Sequence, residues 1–218
     1  MRYCLAIDIG ASSGRHIAAW EQNGEMVMQE VYRFPNLPKE ENGHLIWDLQ
    51  NLCSQVVAGL KACKEKGITP DSVGIDTWAV DYVLLDEKDA PILPMYCYRD
   101  SRGAEAAEKL HKVIPFEQLY ARTGIQFQPF NTVYQMYWDK CEGRLEKAKD
   151  FLMLPEYLSF MLSGEKCHEY TNATSTGMIN AGDKCWDLEI IAKAGLPAEL
   201  FTQQPKTPPV VLGKLKEE

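Results

Sequence analysis

The residues best suited to chemistry lie within the first fifteen positions of the 218-residue sequence. Asp8 stands near the end of an apolar run, Tyr3 to Ile9, and the segment Gly10 to Arg15 (Gly-Ala-Ser-Ser-Gly-Arg) follows at once. A carboxylate in a buried strand is costly unless a metal ion, a donor or water meets it. Two glycines allow a tight turn with positive φ, whose backbone N–H groups and hydroxyls can face an anion. An acid that can hold Mg²⁺ beside such a loop suits a nucleotide-phosphate site.

The residues after this loop exclude two common kinds of phosphate site. In P-loop and dinucleotide-binding folds the glycine-rich loop opens a helix, and a Walker A motif needs Lys-Ser or Lys-Thr after its last glycine. Here Arg15 and a strand predicted over His16 to Glu21 follow instead. Asn23-Gly24 then predicts a hairpin turn into a third strand, Met26 to Phe34. The loop therefore connects two antiparallel strands, and a tight turn merely capped by Asp8 stays open as the alternative.

A second candidate site lies in Gly74 to Asp81 (Gly-Ile-Asp-Thr-Trp-Ala-Val-Asp), where a predicted strand runs into a polar and aromatic segment. An indole such as that of Trp78 covers the C–H face of a sugar, and carboxylates such as Asp76 and Asp81 accept hydrogen bonds from its hydroxyls. One interpretation is therefore a sugar pocket. The other is that Trp78 belongs to the core and the acids form turns.

Two later segments, 94–102 and 124–132, add aromatic, cationic and amide side chains of the kind that recognise sugar hydroxyls. The residues concerned are Tyr96, Tyr98, Arg99, Arg102, Phe130 and Asn131. These residues have structural alternatives, because Arg99 can pair with Asp100 and an asparagine such as Asn131 commonly caps a helix. A third segment, 169–177, is a hydroxyl-rich run that we expect to tie a loop together through side chain to backbone bonds.

Helical spacing identifies the element that must hold these segments in place. Asp48 is a predicted N-cap for a helix whose apolar positions recur from Leu49 to Cys63, and Gly67 ends it. A further strand is predicted over Val73 to Ala79, and the helical crossover implies that it runs parallel to a neighbouring strand. The order β-β-β-α-β predicts an α/β domain with a mixed sheet and the phosphate loop at the end of its first strand.

Composition excludes several other classes of protein. The net charge of −8 argues against binding to a nucleic-acid backbone. No apolar run approaches the length of a transmembrane helix, and the N-terminal strand does not resemble a signal peptide. The seven cysteines include no Cys-x-x-Cys pair, so neither zinc ligation nor a disulfide framework is expected. Reduced thiols indicate a cytoplasmic protein.

Five segments, in this order, resemble the FGGY family of carbohydrate kinases: 8–15, 74–81, 98–102, 124–132 and 169–174. The resemblance implies a ribonuclease H-like fold of the actin, hexokinase and Hsp70 type, with helices flanking a mixed sheet. It also implies two such domains that face each other across a cleft for ATP and a sugar. Within the family, Thr77 to Asp81 is most similar to the kinases that convert L-rhamnulose to L-rhamnulose 1-phosphate.

The resemblance further implies roles for individual residues. Asp8 would help to position Mg²⁺ through a water molecule. The terminal phosphates of ATP would lie against Ala11, Ser12, Ser13, Gly14 and Arg15. Ala79, at a position where we expect glycine, would contact the sugar through its backbone. The sugar pocket would be lined or supported by Trp78, Asp81, Tyr96, Arg99, Phe130 and Asn131.

The resemblance also implies that part of the active site lies outside this sequence. In the family the catalytic base is an aspartate in a Gly-x-His-Asp-like segment at the start of the second domain, and it accepts the proton of the attacking sugar hydroxyl. No such segment occurs here. We therefore expect residues 1–218 to form the N-terminal, sugar-binding domain, without a catalytic residue or kinase activity of its own. A C-terminal domain would supply the base and most of the adenosine pocket.

Two alternatives stay open at this point. A kinase of this family could act on L-fuculose, D-xylulose or L-ribulose, since only a few hydroxyl contacts separate these ketoses. A freestanding domain could instead bind a sugar or a nucleotide without catalysis. The expected partners are the sugar, ATP and the C-terminal domain, and we expect neither nucleic acid nor a membrane to bind.

Overall fold

The computed structural model describes residues 2–216. Its strands are β1 (Tyr3–Ile9), β2 (Ser13–Gln22), β3 (Glu25–Pro35), β4 (Lys39–Glu41), β5 (His44–Trp47), β6 (Ser72–Thr77), β7 (Tyr82–Leu85), β8 (Met95–Tyr96) and β9 (Asp150–Met153). Its helices are α1 (Leu49–Glu65), α2 (Arg102–His111), α3 (Phe116–Thr123), α4 (Thr132–Cys141), α5 (Leu154–Ser163), α6 (Tyr170–Thr174) and α7 (Leu188–Ala194). Short 3₁₀ helices span Arg144–Lys147 and Ala198–Phe201.

The chain divides into two compact units, one of residues up to 39 together with 47–78, and the other of residues 40–46 together with 79 onward. In the first unit, β1 pairs antiparallel with β2 and parallel with β6, and β2 pairs antiparallel with β3. The resulting sheet has the strand order β3-β2-β1-β6. The predicted β-β-β-α-β order and mixed sheet are therefore confirmed, and the candidate phosphate loop connects β1 to β2.

Helix α1 supplies the apolar cover of this sheet. Leu52 and Val56 of the helix are buried, as are the alternate residues Leu5, Ile7 and Ile9 of β1. The helix packs against β2 and β3. Residues four apart share one helix face, and residues two apart share one sheet face. The period of the apolar residues therefore fixes which side of each element turns inward.

Both predicted ends of α1 are confirmed. The Asp48 carboxylate accepts a hydrogen bond from the Asn51 N–H at 2.9 Å, which satisfies a donor that the first turn of a helix leaves unpaired. Lys66 caps the other end, and Gly67 follows it with a φ of +71°, which glycine adopts without steric cost. The chain then enters β6 parallel to β1, as the crossover predicts.

The second unit combines two small sheets with a core made largely by helices. Strands β4, β5 and β8 form one sheet in that order, and β7 pairs antiparallel with β9. Helices α2 and α4 pack against each other. The largest fully buried side chains in this core are Leu110, Ile114, Tyr134, Met136, Phe151, Trp186 and Phe201. This core holds the later candidate segments, 79–81, 96–99 and 130–131, on one scaffold.

The structure departs from the sequence predictions in three places. Residues 169–177 predict a loop, whereas α6 forms within them; the expected side chain to backbone bonds are present, with Ser175 Oγ donating to the Asn172 carbonyl and Thr176 Oγ1 to the Ala173 carbonyl. The polar stretch Pro35 to Gly43 predicts a loop, whereas the structure forms β4 within it and β5 just after it. Three charged residues in β4 carry no apolar alternation, so no periodicity indicates a strand there. In addition, β6 ends at Thr77, so Trp78 and Ala79 lie beyond the strand that was predicted to contain them.

Across residues 2–216, no helix is both long enough and apolar enough to cross a membrane. All seven cysteines have free thiols. Cys4 and Cys141 are exposed, whereas Cys63, Cys97 and Cys167 are buried.

Candidate functional site

The loop between β1 and β2 is held by hydrogen bonds to its own carbonyl oxygens. The Gly10 N–H donates to the Ser13 carbonyl at 2.9 Å and closes the turn. The backbone N–H of Asn36, just after β3, donates to the Ser12 carbonyl at 3.0 Å. The side-chain Nδ2 of Asn36 donates to the Gly10 carbonyl at 2.8 Å. All three carbonyl oxygens therefore have hydrogen-bond donors within the unit.

The glycines of this loop do not serve the purpose that the sequence suggests. Neither Gly10 nor Gly14 is among the residues with positive φ, so the predicted positive-φ turn is wrong. Gly14 provides space instead, since a Cβ there would lie 2.2 Å from the Phe34 ring. Gly14 and Phe34 are register partners in the β2–β3 pair, which brings the ring over the glycine.

Asp8 and Arg15 are cross-strand partners on either side of the loop. Arg15 donates to the Asp8 carboxylate through Nε at 2.9 Å and lies within 2.8 Å through Nη2, and both side chains are nearly half exposed. The donor that meets this carboxylate is therefore an arginine of the loop itself. Water screens an exposed pair of this kind, so the pair holds weakly and either group can exchange its partner for another ion.

A second acid, Asp76 of β6, lies beside Asp8. The two residues are register partners in the parallel β1–β6 pair, which places them on the same face of the sheet, and Asp76 is exposed. Mg²⁺ in nucleotide sites commonly takes one or two carboxylates and completes its coordination with water and phosphate oxygens. Asp8 fits that role. Within residues 2–216, no group of three or more His, Cys, Asp or Glu side chains is placed to hold a metal ion without such oxygens.

The segment that follows β6 contains a strained backbone position. Val80 has a φ of +70°, a conformation that a β-branched residue rarely adopts. Its carbonyl accepts hydrogen bonds from Thr132 Oγ1 at 2.7 Å and from Gln135 Nε2 at 3.2 Å. Strained positions persist only where surrounding contacts hold them, and they cluster at ligand sites. Ala79, which is exposed, directly precedes this position.

Asp81 supports the strained backbone at Val80, called the Val80 turn below, from inside the second unit. Its side chain is fully buried, with Oδ2 accepting from the backbone N–H of Tyr98 at 3.1 Å and Oδ1 from Gln135 Nε2 at 3.2 Å. A buried carboxylate needs such donors. Asp81 therefore fixes Tyr98 relative to the turn, and its placement suits a supporting role better than direct contact with a sugar.

The structure brings together three of the candidate residues, Tyr98, Arg99 and Phe130. The rings of Tyr98 and Phe130 meet edge to face with their centroids 5.7 Å apart. Arg99 is exposed, and its Nε donates to the Tyr98 hydroxyl at 3.0 Å. The two half-buried rings of Tyr98 and Phe130 and the exposed Arg99 guanidinium form one surface, which we call the aromatic surface. A surface of this kind can pack on a sugar ring and hydrogen-bond its hydroxyls.

Gln135 is a supporting residue that the sequence reasoning missed. Its Nε2 lies within hydrogen-bonding distance of three acceptors, the Val80 carbonyl, the Asp81 carboxylate and the Phe130 carbonyl. Its Oε1 accepts from Arg102 Nη2 at 2.6 Å. The available signal was an amide in the first turn of α4, after Thr132, Val133 and Tyr134, and no motif marks it. Gln135 links the Val80 turn to the aromatic surface.

Tyr96 and Asn131 have structural partners. The guanidinium carbons of Arg102 and Arg144 lie 4.4 and 4.5 Å from the centroid of the Tyr96 ring. Asn131 is the N-cap residue of α4, but its Nδ2 donates to the Gln126 carbonyl at 3.1 Å instead of capping the helix. Both residues therefore shape the segments that carry the aromatic surface.

The sequence leaves open an ion pair between Arg99 and Asp100. In the structure, the Asp100 carboxylate has other partners. Its carboxylate accepts from the Leu45 N–H at 2.8 Å and the Arg102 N–H at 3.0 Å, and it lies 3.1 Å from His44 Nδ1. Burial alone would raise the pKa of Asp100, but these hydrogen bonds hold the pKa below its usual value. Asp100 therefore anchors β5 to the start of α2.

Trp78 lies in the first unit, where its ring centroid is 4.3 Å from that of Trp47. Thr77 Oγ1 donates to the Trp78 carbonyl at 2.8 Å. The side chain is half-buried, so part of it packs in the unit and part stays accessible. The chain passes to the second unit immediately after Trp78, so Ala79 and the aromatic surface belong to that second unit.

Comparison with known proteins gives a family for this arrangement. Residues 3–216 match the model of the FGGY family of carbohydrate kinases, N-terminal domain. The chain is 49% identical to a rhamnulokinase of Halalkalibacterium halodurans, over all of this chain and 47% of that protein. It is 40% identical to a rhamnulokinase of Bacillus subtilis, over 98% of this chain and 44% of that protein. The chain thus spans less than half the length of these relatives.

Solved structures share the fold. A gluconate kinase from Lactobacillus acidophilus has a TM-score of 0.85 at 19% identity, and the match covers 99% of this chain and 44% of that one. The Plasmodium falciparum glycerol kinase, solved with ADP, has a TM-score of 0.78 at 17% identity, over 100% of this chain and 46% of that one. At such identities the likeness shows the fold alone, and it confirms the predicted actin-like α/β fold.

Proposed function

The chain belongs to the FGGY family of carbohydrate kinases, and from this premise we propose that it is the sugar-binding half of an enzyme that phosphorylates L-rhamnulose. The reaction transfers the γ-phosphoryl group of ATP to O1 and yields L-rhamnulose 1-phosphate and ADP. The observation that carries this proposal is an identity of 40–49% with the rhamnulokinases over nearly the whole chain, which includes both candidate sites.

In this proposal the terminal phosphates of ATP bind the segment from Ala11 to Arg15. Backbone N–H groups, the Ser12 and Ser13 hydroxyls and the Arg15 guanidinium are the donors that a phosphate needs. Asp8 would then help to hold Mg²⁺, which neutralises phosphate charge when it is bound. Support comes from the placement of the loop at the end of β1, with three carbonyl oxygens of residues 10–13 hydrogen-bonded within the unit.

The sugar would bind at the segment that begins with Trp78. Ala79 would contact it through the backbone, next to the strained Val80, while Phe130 and Arg99 would offer a ring face and a guanidinium. Trp78 would cover an apolar face of the sugar. The supporting residues in this proposal are Asp81, Tyr96 and Asn131. A few such contacts decide which ketose fits, because an unpaired polar group in the site penalises the wrong hydroxyl pattern.

Transfer to a hydroxyl also needs a base for the hydroxyl proton. We place that base, and most of the adenosine pocket, in a C-terminal domain, so residues 1–218 alone should lack kinase activity. The same proposal places the protein in the cytoplasm, where free thiols stay reduced. The partners are then the ketose, ATP and the C-terminal domain.

A coupled ADP-release assay on the full-length gene product tests this function with L-rhamnulose, L-fuculose, D-xylulose and L-ribulose as acceptors. We expect kcat/KM to be highest for L-rhamnulose, by about tenfold or more. A higher value for another ketose would retain the kinase and refute the substrate. No ADP release with any ketose would favour a domain that binds a sugar or nucleotide without catalysis.

A further inference from the structure

We propose that Asn36 is a positioning residue for the phosphate loop and sets the affinity of the enzyme for ATP through it. The inference rests on the proposed function, because it assumes that residues 11–15 bind the phosphates. Asn36 lies 26 residues after Gly10 in the sequence and outside every motif that carries the family resemblance. It follows β3 directly and is 5% exposed.

Asn36 binds the loop at two points. Its backbone N–H donates to the Ser12 carbonyl at 3.0 Å, and its side-chain Nδ2 donates to the Gly10 carbonyl at 2.8 Å. The Gly10 N–H to Ser13 carbonyl bond closes the same turn from within. The two bonds from Asn36 therefore fix the peptide planes that contain the Gly10 and Ser12 carbonyls, on either side of the Ala11–Ser12 peptide, and the third bond holds the ends of the turn together.

Fixing these planes matters because each peptide presents a donor on one side and an acceptor on the other. A loop that could rotate would at times present the carbonyl oxygens of Gly10 or Ser12 to the phosphates, and like partial charges would repel. Donors that are already oriented cost no reorganisation when the anion arrives. Asn36 holds the acceptors inward and thereby favours the arrangement in which N–H groups face outward.

The end of β3 carries a second support for the same loop. Phe34, two residues before Asn36, is the ring that packs over Gly14 where no Cβ fits. The ring of Phe34 lies 6.4 Å from that of the buried His16, whose own ring leaves no space for a Cβ at Gly59 of α1. One side of the loop is therefore held by packing and the other by hydrogen bonds, both from β3 and the residue after it.

The side-chain bond needs an amide at this position. An aspartate has nearly the same shape but donates no hydrogen when ionised, and its charge would face the Gly10 carbonyl oxygen. A leucine has a similar volume and carries neither donor nor charge. The Asn36→Asp and Asn36→Leu variants therefore remove the same donor with and without an added charge, while the backbone bond to Ser12 stays available in both.

The experiment measures both variants in the full-length gene product alongside Asn23→Asp. Asn23 lies in the exposed β2–β3 turn with a φ of +55°, where aspartate is tolerated, so this variant controls for the charge. We expect KM for ATP to rise about tenfold in both Asn36 variants, with KM for the ketose within about twofold of wild type. Asn23→Asp should match wild type. Amide hydrogen exchange should become faster in residues 10–15 and stay unchanged in α1. Exchange in α1 shows whether the first unit is still folded.

The two readouts separate failure of this inference from failure of the proposed function. Unchanged exchange in residues 10–15 of both Asn36 variants would overturn the inference whatever the activity. Faster exchange with an unchanged KM for ATP would overturn it as well, because the loop would then be loosened without consequence. Faster exchange in a protein whose wild type transfers no phosphate to any ketose would support the positioning contact and refute the kinase.

Discussion

The Arg15 guanidinium donates to the Asp8 carboxylate across the β1–β2 pair, at 2.9 Å from Nε and with Nη2 2.8 Å away. The pair joins the group proposed to bind phosphate to the group proposed to help hold Mg²⁺. Phosphate oxygens compete for the guanidinium, and a divalent cation competes for the carboxylate. Nucleotide binding should therefore separate the two side chains, and each should be worth more to catalysis than to stability.

Replacing Arg15 with glutamine should weaken nucleotide binding without unfolding the protein. Arg15 is exposed, so loss of its ion pair should cost under about 1 kcal/mol of unfolding free energy. KM for ATP should rise about tenfold or more, because a charged donor to phosphate is lost. Arg33→Gln is the matched control, since Arg33 is the β3 register partner of Arg15 and forms its own exposed ion pair with Glu30. Equal kinetics in the two variants would contradict the role of Arg15.

Adding one methyl group at Gly14 should destabilise the first unit. The new Cβ would lie 2.2 Å from the Phe34 ring, so the ring or the loop must move, at a cost of about 1–3 kcal/mol. Gly74→Ala serves as the control, because nothing lies within 4 Å of a Cβ there and φ is not positive. Urea unfolding of both variants measures the difference. If Gly14→Ala were as stable as Gly74→Ala, the packing of Phe34 on the loop would be wrong.

Replacing Gln135 with leucine should affect the ketose and not the nucleotide. The substitution removes the donor shared by Val80, Asp81 and Phe130 and leaves buried acceptors without it. We expect KM for the ketose to rise about tenfold, with KM for ATP within about twofold of wild type. Gln118→Leu, an exposed position in α3, makes the same chemical change outside the site. A rise in KM for ATP alone would contradict this assignment.

The Asp187→Asn variant should lose stability in a pH-dependent way. Asp187 accepts from Arg122 Nε at 2.7 Å and from the Ile190 N–H at 3.0 Å as the cap of α7. Burial alone would raise the pKa of Asp187, but these donors hold it below its usual value. Replacement should cost about 2–3 kcal/mol at neutral pH, where charge-assisted hydrogen bonds are intact.

The sign of this pH dependence follows from the lowered pKa of Asp187. The ionised form is favoured in the folded state, so its contribution is complete above the unfolded pKa of about 3.9 and is lost as the pH falls through the folded pKa. The wild-type advantage over Asp187→Asn should therefore shrink in unfolding curves measured from pH 7 toward pH 3. Glu189→Gln, which removes an exposed carboxylate 2.7 Å from the same arginine, should change the free energy of unfolding much less, because water screens that pair. A constant difference at all pH values would contradict the account.

Thiol labelling should distinguish the buried from the exposed cysteines. Burial raises the pKa of Cys53 and of Cys97 to about 11, and only the thiolate reacts. Cys4 and Cys141 are exposed and should be modified first by a disulfide reagent at mildly alkaline pH. Peptide mass spectrometry identifies the labelled sites. Labelling of Cys97 at the rate of Cys4 would show that the segment behind Arg99 opens in solution.

Features that depend on neighbouring residues could be predicted from the sequence. Asp48 and Gly67 bound α1, and Asn23-Gly24 forms the hairpin turn, because each acts within a few residues of its own position. Gly14 could not be assigned correctly, since its role depends on Phe34, twenty residues away in the chain. The positive φ of Val80 runs against its own preference and is held by contacts from α4. Asn36 and Gln135 act in the same long-range way, so no local motif marks them.

The most direct test of the account is transfer of ³²P from γ-labelled ATP to L-rhamnulose by the full-length gene product, with residues 1–218 expressed alone as the comparison. We expect a labelled sugar phosphate from the full-length protein, with the phosphate on O1, and none from the shorter chain. Labelled sugar from residues 1–218 alone would contradict the division of the active site between two domains. Release of labelled phosphate without any labelled sugar would contradict the assignment as a sugar kinase.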